Sequence, residues 1–248
     1  MAITLPEQKL APTRLTPRIL LLYSLPKIGK TKQLSMLDEL LLLDLERGAE
    51  MYECMRVQID TIGQIDEVIN AIIQKGKANG GKFPYKYIAV DTVDMLEEYA
   101  IKSATVKYNN SKLVGGKEEN KVASVVDLPR GLGYYYIREE VTECLSKLSR
   151  VCKHLILTTH VKEKILDKGT HEVTVRDISL TGKLAGIVSA SCDAIGYMYR
   201  DASTKGELWV NFESFDNSVM GARCTYLSGK KFPFSWDAIY SPVIVPEE

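Results

Sequence analysis

Eight consecutive residues, Ser24-Leu25-Pro26-Lys27-Ile28-Gly29-Lys30-Thr31, offer the clearest chemistry in this chain. They approximate the pattern G-x-x-x-x-G-K-[ST], a loop whose backbone N–H groups wrap phosphates at the positive end of the following helix. In such a loop Lys30 reaches the β- and γ-phosphates of a nucleotide and the Thr31 hydroxyl faces Mg²⁺. Ser24 stands where glycine is usual, and serine can shape that turn if its φ is negative. Lys27 is an additional cation inside the loop. It would add charge near the phosphates or pair with a neighbouring subunit, or else face solvent. The competing reading is a chance Gly-Lys-Thr at a strand–helix turn.

Three more residues could complete such a site. Asp91 closes Tyr-Ile-Ala-Val-Asp, where a carboxylate can hold Mg²⁺ beside Thr31. Asp91, Thr92 and Asp94 are equally suited to cap a helix N-terminus. Asp44 and Glu46 lie two apart at the end of Leu-Leu-Leu-Asp-Leu-Glu and on a strand would share a face. Glu46 is the candidate to orient and deprotonate an attacking water. A solvated strand end is its alternative. His160 closes His-Leu-Ile-Leu-Thr-Thr-His, a place from which a polar side chain can contact the γ-phosphate. An ordinary exposed histidine is the alternative there. Lys30, Glu46, Asp91 and His160 are thus the expected catalytic set, with Thr31 and Asp91 for the metal. His154 and His171 have no partner pattern.

These residues sit at the ends of apolar runs, and the runs alternate with helical spacing. Residues 18–24, 41–46, 85–91 and 154–160 read as buried strands. Residues 30–39, 61–81, 92–108 and 134–153 read as helices, the second with Ile65, Val68, Ile69 and Ile72 on one face. Residues 207–214 and 222–229 read as closing antiparallel strands. Such alternation predicts a mostly parallel sheet covered on both faces, with ligands at the carboxyl ends of its strands. Ser24, Asp44, Glu46, Asp91 and His160 would then gather on one rim. Two polar stretches break the rhythm: 107–133 is long enough to be a functional loop or a mobile insertion, and 161–183 is charged and partly hairpin-like.

The totals set outer bounds. The 248 residues suit one large α/β domain. Lysine plus arginine equals aspartate plus glutamate, 32 each, so nucleic-acid binding would have to rest on local patches and not on a basic excess. The five cysteines form no C-x-x-C pair, which argues against zinc and disulfides and for a reducing compartment. No apolar signal core or spanning run is present, so a cytoplasmic protein is expected.

The ordered set SLPKIGKT, LLLDLERG, QIDTIGQIDEVINAI, YIAVDTVDML, LILTTH and LTGKLAGIVSASCDAIGYM resembles the RecA ATPase core. It is most similar to short phage RecA-like proteins, the Sak-type single-strand annealing ATPases, an AAA-like phage nucleotide-binding family. GLGYYYIREEV resembles that family as well. The resemblance implies a RecA-like P-loop NTPase core over 18–240, with an arm at 1–17 and a tail at 241–248. It implies a DNA-dependent ATPase using ATP and Mg²⁺, in a phage-infected bacterial cytoplasm, that anneals or recombines single-stranded DNA. A homo-oligomer, filament or ring, and a single-strand DNA-binding protein are the other expected partners. The two polar stretches would face DNA through Lys117, Lys121 and Arg130 in the first and Lys162, Lys164 and Arg176 in the second. Tyr134 to Tyr136 would supply nearby aromatics. A neighbour's Arg223, Lys230 or Lys231 would reach the γ-phosphate in trans. A bacterial RecA has glutamine where His160 stands, and no C-terminal DNA-gathering domain is evident, so annealing is favoured over strand exchange. A helicase motor or loader shares this core. A stand-alone P-loop kinase would need an arginine-rich lid, and the region after His160 has one arginine, Arg176.

Overall fold

The computed structural model describes residues 5–111, 114–115, 120–167, 172–214 and 218–241, with the backbone alone for 164–167 and 172–174. The leucine-rich runs become strands because they are apolar on both sides, and both sides are covered. Strands β1 (Ile19–Ser24), β2 (Leu40–Asp44), β4 (Tyr87–Asp91) and β5 (His154–Asp167) form the centre of the sheet. They are joined by β3 (Arg56–Gln58), β7 (Ala194–Asp201), β8 (Glu207–Asn211), β9 (Gly221–Ala222) and β10 (Lys231–Pro233). The strand order is β10-β8-β7-β1-β5-β4-β2-β3. From β7 to β3 every pairing is parallel, and β8, β9 and β10 close the other edge antiparallel.

Helices lie on both faces. Helices α2 (Ile62–Ala78), α3 (Val93–Asn109), α4 (Leu132–Arg150) and α5 (Lys183–Ser191) share one core with Leu21 and Tyr23. Helix α1 (Lys30–Ser35) and α6 (Trp236–Tyr240) cover the other face, over Leu34, Leu42, Ala89 and Ile156. Alternation along β1 divides its side chains between these layers: Leu20 and Leu22 pack on the closing strands instead. The expected α/β architecture, a mostly parallel sheet between helical layers with closing antiparallel strands, is that of the chain.

Several expected boundaries move. Helix α1 stops at Ser35, not near residue 39. The 222–229 strand does not form: pairing there is limited to Gly221 and Ala222, followed by turns. Strand β3 was not foreseen, since three residues carry no usable period. The second polar stretch is the hairpin that its sequence partly suggests, with one unforeseen feature. Strand β5 does not end at His160 but continues to Asp167, and β6 (Glu172–Ile178) returns along it as a hairpin. His160 therefore marks where β5 leaves the parallel sheet, opposite Ser24.

Helices α3 and α4 run antiparallel. Ser103 and Lys107 both bond the Glu140 carboxylate, at 2.9 and 2.5 Å, while Tyr108 packs on Tyr136. Between them a 3₁₀ turn, Val125–Asp127, lies against α4. Val125 is held there by the Thr105 hydroxyl, 3.0 Å from its N–H. No helix among the described residues is long and apolar enough to cross a membrane.

Candidate nucleotide site

The loop between β1 and α1 turns at Lys27 (φ 62°) and Gly29 (φ 121°). Glycine is required at position 29 because L side chains rarely adopt that φ. Ser24 does not take a positive φ. Its hydroxyl donates to the Leu25 carbonyl at 2.8 Å and accepts from Lys30 Nζ at 3.1 Å. The serine thus anchors the lysine, a role that glycine could not fill. Leu25 and Pro26 are exposed at the loop crest, and Ile28 packs down against the β1–β8 core. Lys30 is buried, and desolvation lowers its pKa against the opposing pull of Asp91, Glu46 and Asp94.

Asp91 is the best-supported side chain of the rim. Thr31 Oγ1 donates to its Oδ2 at 2.7 Å, and the Thr158 hydroxyl donates to its Oδ1. It does not cap α3. Burial raises its pKa, and the two hydroxyls and Lys30 counter that rise only in part. A desolvated carboxylate beside a threonine hydroxyl is an oxygen pair suited to a hard divalent cation, whose charge would relieve the burial cost. Thr31 and Asp91 would hold Mg²⁺ here.

Asp44 reaches the expected rim but turns its carboxylate away from the cleft's chemistry. It ends β2 level with Asp91, but its oxygens accept from the Gly48 and Ala49 N–H groups at 3.1 and 2.9 Å. It is fully buried, and its work is to fold the turn that follows. Asp44 and Glu46 do not share a strand face, because β2 has ended before Glu46. Leu45 is pinned between them: its N–H donates to the Asp91 carbonyl and its carbonyl accepts from Tyr99. Glu46 consequently faces the cleft, where the Thr92 hydroxyl donates to it at 2.7 Å. Burial raises the Glu46 pKa, opposed by Thr92 and His160. His160 lies 3.8 Å from Glu46 and 2.6 Å from Asp94, both measured from Nδ1.

Lys27, Gly29, Lys30, Thr31, Glu46, Asp91 and His160 line one open cleft of about 620 Å³. Lys32, Gly48 and Tyr52 line it too and were not anticipated. Nor was Arg200, whose guanidinium donates to the Ile28 carbonyl at 3.0 Å and the Gly206 carbonyl at 2.8 Å. It braces the loop from the far end of β7, a contact between residues 172 apart. No local pattern could have announced it.

The remaining candidates lie elsewhere. Arg223 donates to the Ala190 carbonyl and pairs with Asp193, at the start of β7 and so at the opposite end of the strands from the cleft. Lys231 lies 3.9 Å from Glu213, and Lys230 is exposed in the turn before β10. In the hairpin, Lys162 is exposed and stands opposite Asp177. Arg176 pairs with Glu163 at 3.6 Å and lies over the Tyr197 ring. The Lys164 side chain and all of Lys117 fall outside the described residues. Lys121 and Arg130 lie in the α3–α4 connection, Arg130 next to exposed Leu132, Tyr134 and Tyr135. His154 is structural: its Nδ1 meets the Pro17 carbonyl at 2.8 Å in a buried position. All five cysteines are free thiols, and burial pushes Cys144, Cys152 and Cys192 up to about 12.

A phosphate loop, a buried strand-end carboxylate tied to its threonine, and a glutamate across the cleft make the site of a P-loop ATPase at the carboxyl ends of a mostly parallel sheet. The chain belongs to the AAA domain family, whose model matches residues 16–229. A search of curated proteins found no match. Among solved structures the chain is similar to a KaiC-like protein from the hyperthermophilic archaeon Pyrococcus horikoshii OT3. Identity there is 13%, coverage 88% of this chain and 85% of that one, and the TM-score 0.45.

Proposed function

We propose that this chain is an ATP-hydrolysing, RecA-like single-strand annealing protein of the phage Sak type, acting on single-stranded DNA as a homo-oligomer. The observation that carries the hydrolytic part is the cleft itself, in which Lys30, Thr31, Glu46, Asp91 and His160 converge from four strand ends. Bound ATP with Mg²⁺ supplies the phosphoanhydride to be cleaved. Lys30 and the loop N–H groups hold its phosphates, Glu46 takes the proton of the attacking water, and His160 lies within the same cleft to sense the γ-phosphate.

Support for the DNA part comes from two segments, one rising from the cleft and one following the far end of α3. The β5–β6 hairpin rises directly from His160, and Lys162 is exposed on it. The α3–α4 connection carries Lys121 and Arg130, Arg130 close in sequence to exposed Tyr134 and Tyr135, and cations with aromatic rings suit the tracking of a single strand. Lys230 is the better candidate for a cation supplied to a neighbour, since Arg223 is already held by Asp193 and Ala190. The test is ATP turnover with and without a single-stranded oligonucleotide, beside annealing of complementary strands. Stimulated turnover and faster annealing are expected, with log affinity falling by about 0.7 per phosphate contact for each unit of log salt. Absence of DNA binding at low salt would overturn the DNA part and leave the ATPase standing.

The raised Glu46 pKa sets a pH dependence. A general base must be deprotonated, so turnover should rise with pH as Glu46 ionises. Because burial raises that pKa in the free chain, the acid limb of kcat/KM should lie above the ordinary glutamate value of about 4.3. In Glu46→Asp or Glu46→Gln this limb should move or vanish. An acid limb at or below about 4, unchanged by the substitutions, would assign the titration to another group.

A further inference from the structure

The contact that holds His160 is made by a residue outside the expected catalytic set. Asp94 is the second residue of α3, and it does not cap the helix, whose N-cap residue is Thr92. Its Oδ2 lies 2.6 Å from His160 Nδ1. Its other oxygen, Oδ1, is buried without a hydrogen-bond partner among the described residues. Glu46 Oε1 approaches the same ring nitrogen at 3.8 Å. A carboxylate only accepts, so the donor in the short contact is Nδ1–H. The proton of a histidine ring is placed by the hydrogen bond the ring makes, and the other nitrogen is then left for a ligand. Here that other nitrogen is Nε2, which makes no hydrogen bond among the described residues while the ring lines the nucleotide cleft.

We infer that Asp94 is a positioning residue for His160. It clamps the ring from α3 in the Nδ1–H form, so that Nε2 is the atom available to the bound nucleotide. The inference rests on the cleft being the nucleotide site. It gives α3 a direct link to the root of the β5–β6 hairpin. One residue turn further along the same helix, Glu97 accepts from the Thr181 N–H at 3.1 and 3.3 Å, just past the hairpin's returning strand. Two carboxylates of α3 thus grip both feet of the hairpin.

The test needs no turnover. Nitrogen-15 spectra of the histidine rings, recorded on the free full-length chain at alkaline pH, report which ring nitrogen carries the proton. The His160 signals are assigned by their loss in H160Q. Wild type and D94N should show His160 as the Nδ1–H form, since the Asn amide oxygen can still accept. D94A should shift it towards Nε2–H. In parallel, kcat for ATP should fall about ten-fold in D94A with little change in KM, the size typical of losing an outer partner of a functional histidine, and D94N should recover part of it. An Nε2–H ring in wild type, or a D94A spectrum or kcat identical to wild type, overturns the inference. If D94A does not fold, the wild-type tautomer decides alone. A chain that binds no ATP would sink the nucleotide reading by a separate measurement, leaving the tautomer result intact.

Discussion

Glu46→Gln should leave ATP binding intact and slow its turnover by about 10²–10⁴-fold, the span that a positioned general base contributes. The separation of binding from turnover follows from how the residue is held. The backbone on which Glu46 sits is fixed by groups other than its own side chain: Asp44 caps the Gly48 and Ala49 N–H groups, and Leu45 is bonded at both its N–H and its carbonyl. The Thr92 hydroxyl can donate to an amide oxygen as it does to the carboxylate. The phosphate loop, Lys30 and the Thr31–Asp91 pair are untouched. What the amide cannot do is accept a proton from water. A fluorescent ATP analogue would read affinity and phosphate release would read kcat. Turnover within ten-fold of wild type would remove Glu46 from the base role.

Gly133→Ala is expected to be the most destabilising of the conservative glycine substitutions. A Cβ at Gly133 would lie 1.7 Å from the Val125 carbonyl oxygen and 2.4 Å from its carbon. The obstacle is backbone, and that backbone has no room to retreat: Val125 is fully buried and its N–H is bonded by Thr105. Overpacking of this kind costs about 1–3 kcal/mol and at times more. In a chain of this length each kcal/mol shifts Tm by roughly 2–4 °C, so a fall on the order of 5–10 °C is expected by thermal unfolding. Gly186→Ala is the control, since its added Cβ meets nothing within 4 Å. Equal Tm values for the two variants would mean that α4 does not seat on the 125–127 turn as described. Because that seat sets the direction of α4's first turn, Gly133→Ala should also disturb the exposed Tyr134 and Tyr135.

The parts of the molecule that could be read from the chain were those written locally. The loop Ser24–Thr31 announces itself by spacing, and the rim positions Asp91 and His160 by a polar residue closing an apolar run. Parallel order followed from strands that are apolar throughout. What escaped depends on contacts between distant segments. Arg200 reaches the loop across 172 positions, and Asp94 reads as a helix cap until β5 is placed beside α3. Asp44 and Glu46 looked like one pair because a strand period was extended past the residue where β2 stops. A hairpin in 161–183 was partly legible, but that its first strand is the unbroken continuation of β5 was not, because the apolar run gives way to charged residues after His160. The GLG before YYY carries a family resemblance, and its physical reasons are a left-handed Gly131 and the close approach at Gly133.

Strand β5 serves two sheets without interruption. Its first half is laddered between β1 and β4, its second half only to β6, and the ladder to β6 closes at the base where the Ser179 N–H meets the His160 carbonyl. Mechanically this is a cantilever whose built-in end is the middle of the molecule. A pull on the hairpin is carried by one covalent backbone past His160 into the sheet, with no loop along the way to act as a joint. Bending the beam at its root would break the ladder bond there. Displacement of the hairpin root and displacement of the cleft's histidine are therefore one motion, braced by α3, whose two carboxylates grip the beam at its root and just past the foot of its returning partner.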